Sequence, residues 1–160
     1  MFIPKGYALS NEIAQKAGIS IANFSMLRKD FEDRNIDGVV KKIGNCTFVN
    51  TESPMLPKYI KKALDFKYTP LDNLILISYL ISEFKIKRED ILKVFKPYDG
   101  KIVTIAGKKF LKVNDEFYNK LKGKVVTNIK KKDALQCLED GDIEGYLELS
   151  SNNYLVWYEF

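Results

Sequence analysis

The period of the apolar positions changes several times along the chain, and each change marks an element. In the stretch ALSNEIAQKAGISIANFSMLRK apolar residues recur three or four positions apart, which predicts helices over Ser10–Ala17 and Ser20–Asp30 with Gly18 at the turn. Serine oxygens accept from the free N–H groups of a first helical turn, so Ser10 and Ser20 are expected to cap these helices. The positions expected to face inward are Ile13, Ala14, Ala17, Ile19, Phe24 and Leu27.

After these two helices the sequence predicts a β-hairpin, which is a strand, a tight turn and a second strand. Val40 and Ile43 lead into a Gly44-Asn45 turn, where glycine supplies the positive φ that tight hairpin turns need. The stretch YDGKIVTIAGKKFLKVN can be laid over IDGVVKKIGNCTFVN so that Asp99-Gly100 meets Asp37-Gly38 and Phe110 meets Phe48. The chain is therefore expected to contain two copies of one helix, helix, hairpin, helix unit.

The helices of the second copy are less clearly delimited. LDNLILISYLISEF, from Leu71 to Phe84, is apolar on nearly every side, which predicts a buried central helix. Thr69 is expected to cap that helix, with Pro70 at its first position, where the missing N–H costs nothing. Lys85 stands where the first copy has Gly18.

The last 36 residues have a different pattern. KKKDALQCLEDG predicts a short helix ending at Gly141, and GYLELSSNNYLVWYEF predicts two strands around a turn at residues 150–153. Two interpretations stay open: a hairpin that closes the core, which we favour, or an edge for a protein partner or a second subunit. The second would use Tyr154, Val156, Trp157 and Tyr158, in an alternation that continues to Phe160.

The first copy resembles the winged helix-turn-helix of MerR-like and excisionase-type DNA-binding proteins. The resemblance is carried by Glu12-Ile13-Ala14, Gly18-Ile19-Ser20, the basic pair Lys41-Lys42, Gly44 and Phe48. It implies that the helix from Ser20 enters the major groove and that the Lys41–Thr47 wing touches backbone or minor groove. The DNA-binding residues expected on this basis are Ser20, Ile21, Ala22, Asn23, Ser25, Met26, Arg28, Lys29, Lys41, Lys42, Asn45 and Thr47.

The fold class expected from these patterns is α+β, with tandem winged helix-turn-helix units followed by a C-terminal helix and β-hairpin. The expected domains are residues 1–67, residues 68–124 and a C-terminal segment of residues 125–160. The second copy is expected to offer a further basic surface, made of Lys87, Arg88, Lys108, Lys109 and Lys112.

Charge supports an anionic partner for part of the chain only. The 160 residues carry a net charge of +5, distributed as +4 over residues 1–69, +5 over residues 70–125 and −4 over residues 126–160. A basic body suits nucleic acid, and an acidic tail does not.

The residue types present give little support for an enzyme. The chain has no histidine, so a histidine-based triad is impossible, and the two cysteines, Cys46 and Cys137, lie far apart without a CxxC partner. Glycine-rich phosphate loops and nucleophile elbows do not occur in it. We expect a protein that is not an enzyme and has no metal or cofactor. It lacks a signal-peptide pattern, and its most apolar run is too short for a membrane span, so we expect it in the cytoplasm.

Three functions remain after these exclusions. The first is a small transcriptional regulator or excisionase-like factor that binds duplex DNA. The second is a phage or mobile-element effector that inhibits a protein of a nucleic-acid-processing machine, with its winged-helix units serving as interaction modules. The third is an RNA-binding or replication-associated module, although the sequence contains no RNP or KH-like RNA-binding motif to support it.

Overall fold

The computed structural model describes residues 1–159, which form an α+β fold. Single turns of 3-10 helix at Arg88–Asp90 and Lys96–Tyr98 flank the short helix Ile91–Val94. The helices are α1 Ser10–Ala17, α2 Ile21–Asp33, α3 Lys58–Ala63, α4 Ile77–Phe84, α5 Ile91–Val94, α6 Asp115–Leu121 and α7 Lys131–Asp140. The strands are β1 Tyr7–Leu9, β2 Val40–Ile43, β3 Cys46–Asn50, β4 Leu74–Leu76, β5 Lys101–Ile105, β6 Lys108–Lys112, β7 Val125–Lys130, β8 Gly145–Glu148 and β9 Asn153–Tyr158.

The strands of the described chain form three sheets with the same order. The orders are β1-β3-β2, β4-β6-β5 and β7-β9-β8, so the second strand of each hairpin is always central. The strand that precedes the helices pairs with that central strand, antiparallel in the first and third sheets. The hairpins were predicted from the sequence because a turn separates their strands, but β1, β4 and β7 were not, because each runs directly into a helix and no turn residue marks its end.

Each of these preceding strands runs directly into a helix. Leu9, Leu76 and Lys130 precede α1, α4 and α7 with extended backbone (ψ 122°, 128° and 144°), and none of the three helices has a side-chain cap. The expected cap at Ser10 is therefore wrong. Ser10 is the first residue of α1, and its buried Oγ has no hydrogen-bond partner within the described residues. The N-cap position is occupied by Leu9, the buried last residue of β1, and Ser10 lies one residue after it.

The apolar run from Leu71 to Phe84 is not the single helix that its composition predicted. It divides into β4, whose three residues are all buried, and α4, which buries Ile77, Leu80 and Phe84 on one side. A fully buried strand and a buried helix look alike in an apolar run, since neither alternates with polar residues. Thr69 and Pro70 lie outside any helix, so the expected cap there is also wrong.

The chain divides into two units. The N-terminal unit comprises Ile3–Asp72 together with Thr104–Phe110, the tip of the second hairpin. The C-terminal unit comprises the remaining described residues, namely Met1–Phe2, Asn73–Val103 and 111–159. The core of the N-terminal unit contains Ala8, Ile13, Ala14, Phe24, Leu27, Phe31, Val39, Val49, Leu56, Ile60 and Ala63.

Aromatic side chains organise the core of the C-terminal unit. The ring of Phe117 in α6 makes edge contacts with Phe95 and Trp157, at centroid distances of 5.7 and 6.2 Å. A second, smaller cluster lies under α7 and contains Ala134, Ile143, Tyr154 and Val156. Aromatic pairs in this geometry stabilise a core beyond the area that they bury.

The C-terminal hairpin closes the core, as the favoured interpretation expected. Tyr154, Val156 and Trp157 are buried and Tyr158 is half-buried, because β9 is the central strand and both of its faces are covered. These residues therefore do not offer the edge for a partner strand that was the alternative. Phe160, which continues their alternation, lies outside the described residues.

Candidate nucleic-acid interface

The turn between α1 and α2 forms as the sequence predicted. Gly18 ends α1 in the left-handed region (φ 68°, ψ 29°), and its N–H donates to the carbonyl of Ala14. Ser20 then caps α2, with its Oγ accepting from the N–H of Ala22 at 3.3 Å. The turn glycine and the second cap are thus confirmed, and they fix the direction in which α2 leaves the turn.

The inner face of α2 anchors it to the N-terminal unit. Phe24, Leu27 and Phe31 are buried in one cluster with Ile13 of α1 and Val49 of β3. Full burial of an apolar side chain of this size contributes about 1.5–3 kcal/mol to the free energy of folding. Of the other positions expected inside, Ala14 is buried, whereas Ala17 and Ile19 are half-buried against the same cluster.

The outer face of α2 is open to solvent. Ile21, Ser25 and Lys29 lie four residues apart and are all exposed, so they form one line along the helix. Ser20 and Ala22 are also exposed, whereas Asn23 is half-buried. Met26 is 69% exposed and Ile21 49% exposed, so the open side of the helix carries two large apolar side chains. This face is short, mixed in polarity and held rigidly from behind.

Ion pairs engage Arg28 of α2 and Arg34, the residue that follows the helix. Arg28 donates from Nη1 to Glu32 Oε1 at 2.8 Å, and Arg34 pairs with Asp30 at 3.2 Å. The expected phosphate contact of Arg28 therefore requires that its ion pair open. The free-energy cost of opening is small, since exposed pairs contribute about 0–1 kcal/mol. Lys29 is exposed, and the described residues give it no ion-pair partner.

The hairpin of β2 and β3 lies against α2 and carries exposed lysines. Lys41 lies opposite Phe48 and Lys42 opposite Thr47 in the antiparallel register. Both lysines are exposed, because β2 is the edge strand of its sheet and neighbouring side chains point to opposite faces. At the tip Asn45 is exposed, and Thr47 is half-buried.

A buried carboxylate holds α1 to the segment after α3. Glu12 is only 6% exposed, and its two oxygens accept from the backbone N–H and from Oγ1 of Thr69, at 2.6 Å each. Lys16 lies 3.7 Å from the same carboxylate and donates to the carbonyl of Lys67. The only sequence signal was an acidic residue on the inward side of a helix.

The residues expected to form a second basic surface are divided between the two units. Lys108 and Lys109 belong to the hairpin tip in the N-terminal unit, where Lys109 is exposed and Lys108 half-buried. Lys87, Arg88 and Lys112 belong to the C-terminal unit and are exposed.

The two cysteines are free thiols. Cys46 is buried in β3, and burial raises the pKa of its thiol, an effect that the nearby charge of Lys108 only partly offsets. Among the described residues there is no group of three or more cysteine or acidic side chains placed to hold a metal ion. Within that part of the chain, no helix combines the length and the apolar character needed to cross a membrane.

Comparison with known proteins gives a likeness of fold. No protein-family model and no curated protein matches the chain. The chain is similar in fold to a solved protein structure from Campylobacter jejuni, with a TM-score of 0.56 over 98% of both chains and 16% sequence identity. It is described as one of novel regulators, CheP and CheQ, that specifically control transcription of the chemotaxis core gene cheVAW.

Proposed function

We propose that the chain is a small DNA-binding regulator that holds duplex DNA with a winged helix-turn-helix in its N-terminal unit. The observation that carries the proposal is the pairing of α2, with its anchored inner face and open outer face, with an adjacent hairpin that exposes Lys41 and Lys42. A helix of this width fits the major groove, and lysines on a hairpin beside it are placed for phosphate.

The β2–β3 hairpin, here called the wing, and helix α2 have different roles in DNA binding. The lysines of the wing, with Lys29, contact phosphate and supply affinity that falls steeply with salt. Ser25 and Met26 on the outer face of α2 contact base edges, the methionine through apolar contact with thymine methyl groups. A transcriptional role is supported by the whole-length fold similarity to a protein described as a regulator of transcription. In this proposal the chain is not an enzyme and binds no cofactor.

The test is fluorescence anisotropy with a labelled random-sequence duplex at low and at moderate salt. The wild-type chain is expected to bind at low salt and to weaken as salt rises. The double substitution Lys41→Ala with Lys42→Ala should weaken binding to every sequence and flatten the salt dependence. Lys58→Ala with Lys62→Ala is the matched control, because it removes the same charge from exposed positions of α3 in the same unit. No binding at low salt overturns the proposal, and equal losses in the two variants overturn the assignment to the wing.

A second candidate function is favoured by the apolar exposure on α2. Ile21 and Met26 offer a surface that a protein partner would bury, and the acidic C-terminal residues do not suit DNA. The chain would then bind and inhibit a protein of a nucleic-acid-processing machine. A complex that survives nuclease treatment and is lost with Met26→Glu, while duplex binding is absent, would favour this function over the first.

A further inference from the structure

Helix α7 of the C-terminal unit lacks the covering helix that α1 has in the N-terminal unit. Both helices follow a strand directly and precede a hairpin. Between α1 and its hairpin lies α2, whereas only residues 141–144 separate α7 from β8. Four residues are too few for a helix that could pack back on α7. The corresponding face of α7 therefore remains open.

The side chains on that open face are apolar. Counted from the first helical residue, Leu135 and Leu138 of α7 occupy the places of Ala14 and Ala17 in α1. Ala14 is buried beside α2, but Leu135 and Leu138 are 45% and 41% exposed. Because they lie three residues apart on one helix face, the two leucines form one continuous exposed apolar patch.

An exposed tyrosine extends this face onto the sheet. Tyr146 of β8 is 44% exposed, and its ring stacks on that of Tyr154 with centroids 5.0 Å apart and planes 8° apart. Tyr146 and Leu138 line one cavity of about 560 Å³. The stacking holds the tyrosine in place, so the apolar patch is formed before anything binds to it.

The charges of α7 are arranged against its own dipole. Exposed lysines at positions 131 and 132 occupy its first turn, where a helix favours acidic groups, and only Asp133 there has the favourable sign. Glu139 and Asp140 occupy its last turn, which has no basic residue. An antiparallel helix of the same sequence would bring lysines beside acids and beside the carbonyl end of the helix at both ends.

We propose that α7 is a self-association surface through which two copies of the chain pair with their α7 helices antiparallel. In sequence, Lys131, Leu135, Leu138 and Asp142 are symmetric about a point between the two leucines, which lie on α7 with Lys131, whereas Asp142 lies in the turn just after the helix. A two-fold axis there places leucine against leucine and lysine against acid, which is the self-complementarity that a symmetric dimer requires. This pairing does not depend on DNA binding.

The dimer is expected to be weak. Two leucines and a tyrosine from each copy bury much less than the roughly 800 Å² per partner of a standard interface. Sedimentation equilibrium on the full chain, from micromolar to near-millimolar concentration, should show a mass that rises with concentration from 18.4 kDa toward twice that value. A constant monomer mass over the whole range overturns the proposal.

Charge reversal tests the antiparallel arrangement. Lys131→Glu with Lys132→Glu should weaken self-association at least tenfold, as should Glu139→Lys with Asp142→Lys, because each variant alone sets like charges against each other at both ends. An equimolar mixture of the two variants should dimerise, because every end then pairs an acid with a base. If both variants dimerise as the wild type does, or if their mixture stays monomeric, the pairing is wrong.

An apolar variant tests the leucine contact. Leu135→Asp with Leu138→Asp should leave a monomer, whereas Leu92→Asp is the control, since Leu92 is 49% exposed on α5 of the same unit. Thermal unfolding followed by circular dichroism reports whether each variant is folded. Should the leucine variant unfold, the mixing experiment still decides, since its substitutions lie on exposed charged positions.

Discussion

Phe48 and Phe110 meet edge to face, with ring centroids 6.4 Å apart and planes at 71°, and neither side chain is exposed. They occupy the same position in the two hairpins, in the central strands β3 and β6. Both belong to the N-terminal unit, which takes in the tip of the second hairpin. The core of this unit therefore depends on a residue that follows its helices by some fifty positions.

Phe110→Ala should destabilise the N-terminal unit as strongly as Phe48→Ala does. Emptying a fully buried phenylalanine site costs about 3–5 kcal/mol, because the contacts are lost and the cavity fills only partly. Urea unfolding followed by the exchange of amide protons in α1 and α2 measures the effect on this unit. The two losses should be less than additive, because each substitution removes the same ring contact. Phe66→Ala is the control, since Phe66 is half-exposed in the same unit and should cost little.

Lys85→Gly should stabilise the chain by about 0.5–1 kcal/mol, because a side chain in the left-handed region is strained and glycine is not. Lys85 ends α4 at φ 56° and ψ 31°, close to the values of Gly18 at the end of α1. The gain appears as a higher denaturation midpoint with an unchanged slope. Gly18→Ala is the reciprocal test. Nothing lies within 4 Å of its added Cβ, so any loss of stability comes from the backbone alone.

Glu12→Ala should destabilise the N-terminal unit by about 1–3 kcal/mol, because the N–H and hydroxyl of Thr69 lose their acceptors. Thr69→Val removes only the hydroxyl, so its cost should be smaller. A double-mutant cycle on chemical denaturation gives the coupling between the two side chains. A coupling near zero would contradict a tie between α1 and the segment after α3.

The carboxyl of Glu159 should titrate below the usual range of glutamates. Its hydrogen bond with Lys124, at 2.7 Å, lowers its pKa, and the charge of Lys124 adds to the effect. Because the folded-state pKa is the lower one, the pair stabilises the fold above the unfolded-state pKa of Glu159, and this contribution is lost as pH falls through the folded value.

A carbon-13 NMR titration of the carboxyl group measures this midpoint. Lys124→Met should raise it toward the ordinary value. Lys122→Met removes an equal charge two residues away and should leave it in place, since Lys122 contacts the ring of Tyr118 instead. An unchanged midpoint in the Lys124 variant would exclude the ion pair in solution.

Local patterns predicted much of the fold. The helices α1 and α2, the hairpin turns at Gly44 and Gly107, and the cap at Ser20 depend on residues within a few positions of one another, so the sequence contains the whole interaction. The candidate interface follows the same rule. The faces of α2 are fixed by its period of 3.6, and the exposed lysines of β2 follow from a hairpin with polar residues on its first strand.

The tertiary structure decided what depends on distant residues. A leucine-rich run became strand and helix because β4 pairs with β6, more than thirty residues away. Glu12 bonds with Thr69, and Phe48 packs against Phe110. Both contacts join residues more than fifty positions apart, so the local pattern of apolar residues does not predict them. The C-terminal hairpin was buried because β7 occupies the second edge of β9, and the short connection from α7 to β8 left one apolar face of α7 exposed. The physical reason is the same each time: burial is shared between segments, so it is settled only when they meet.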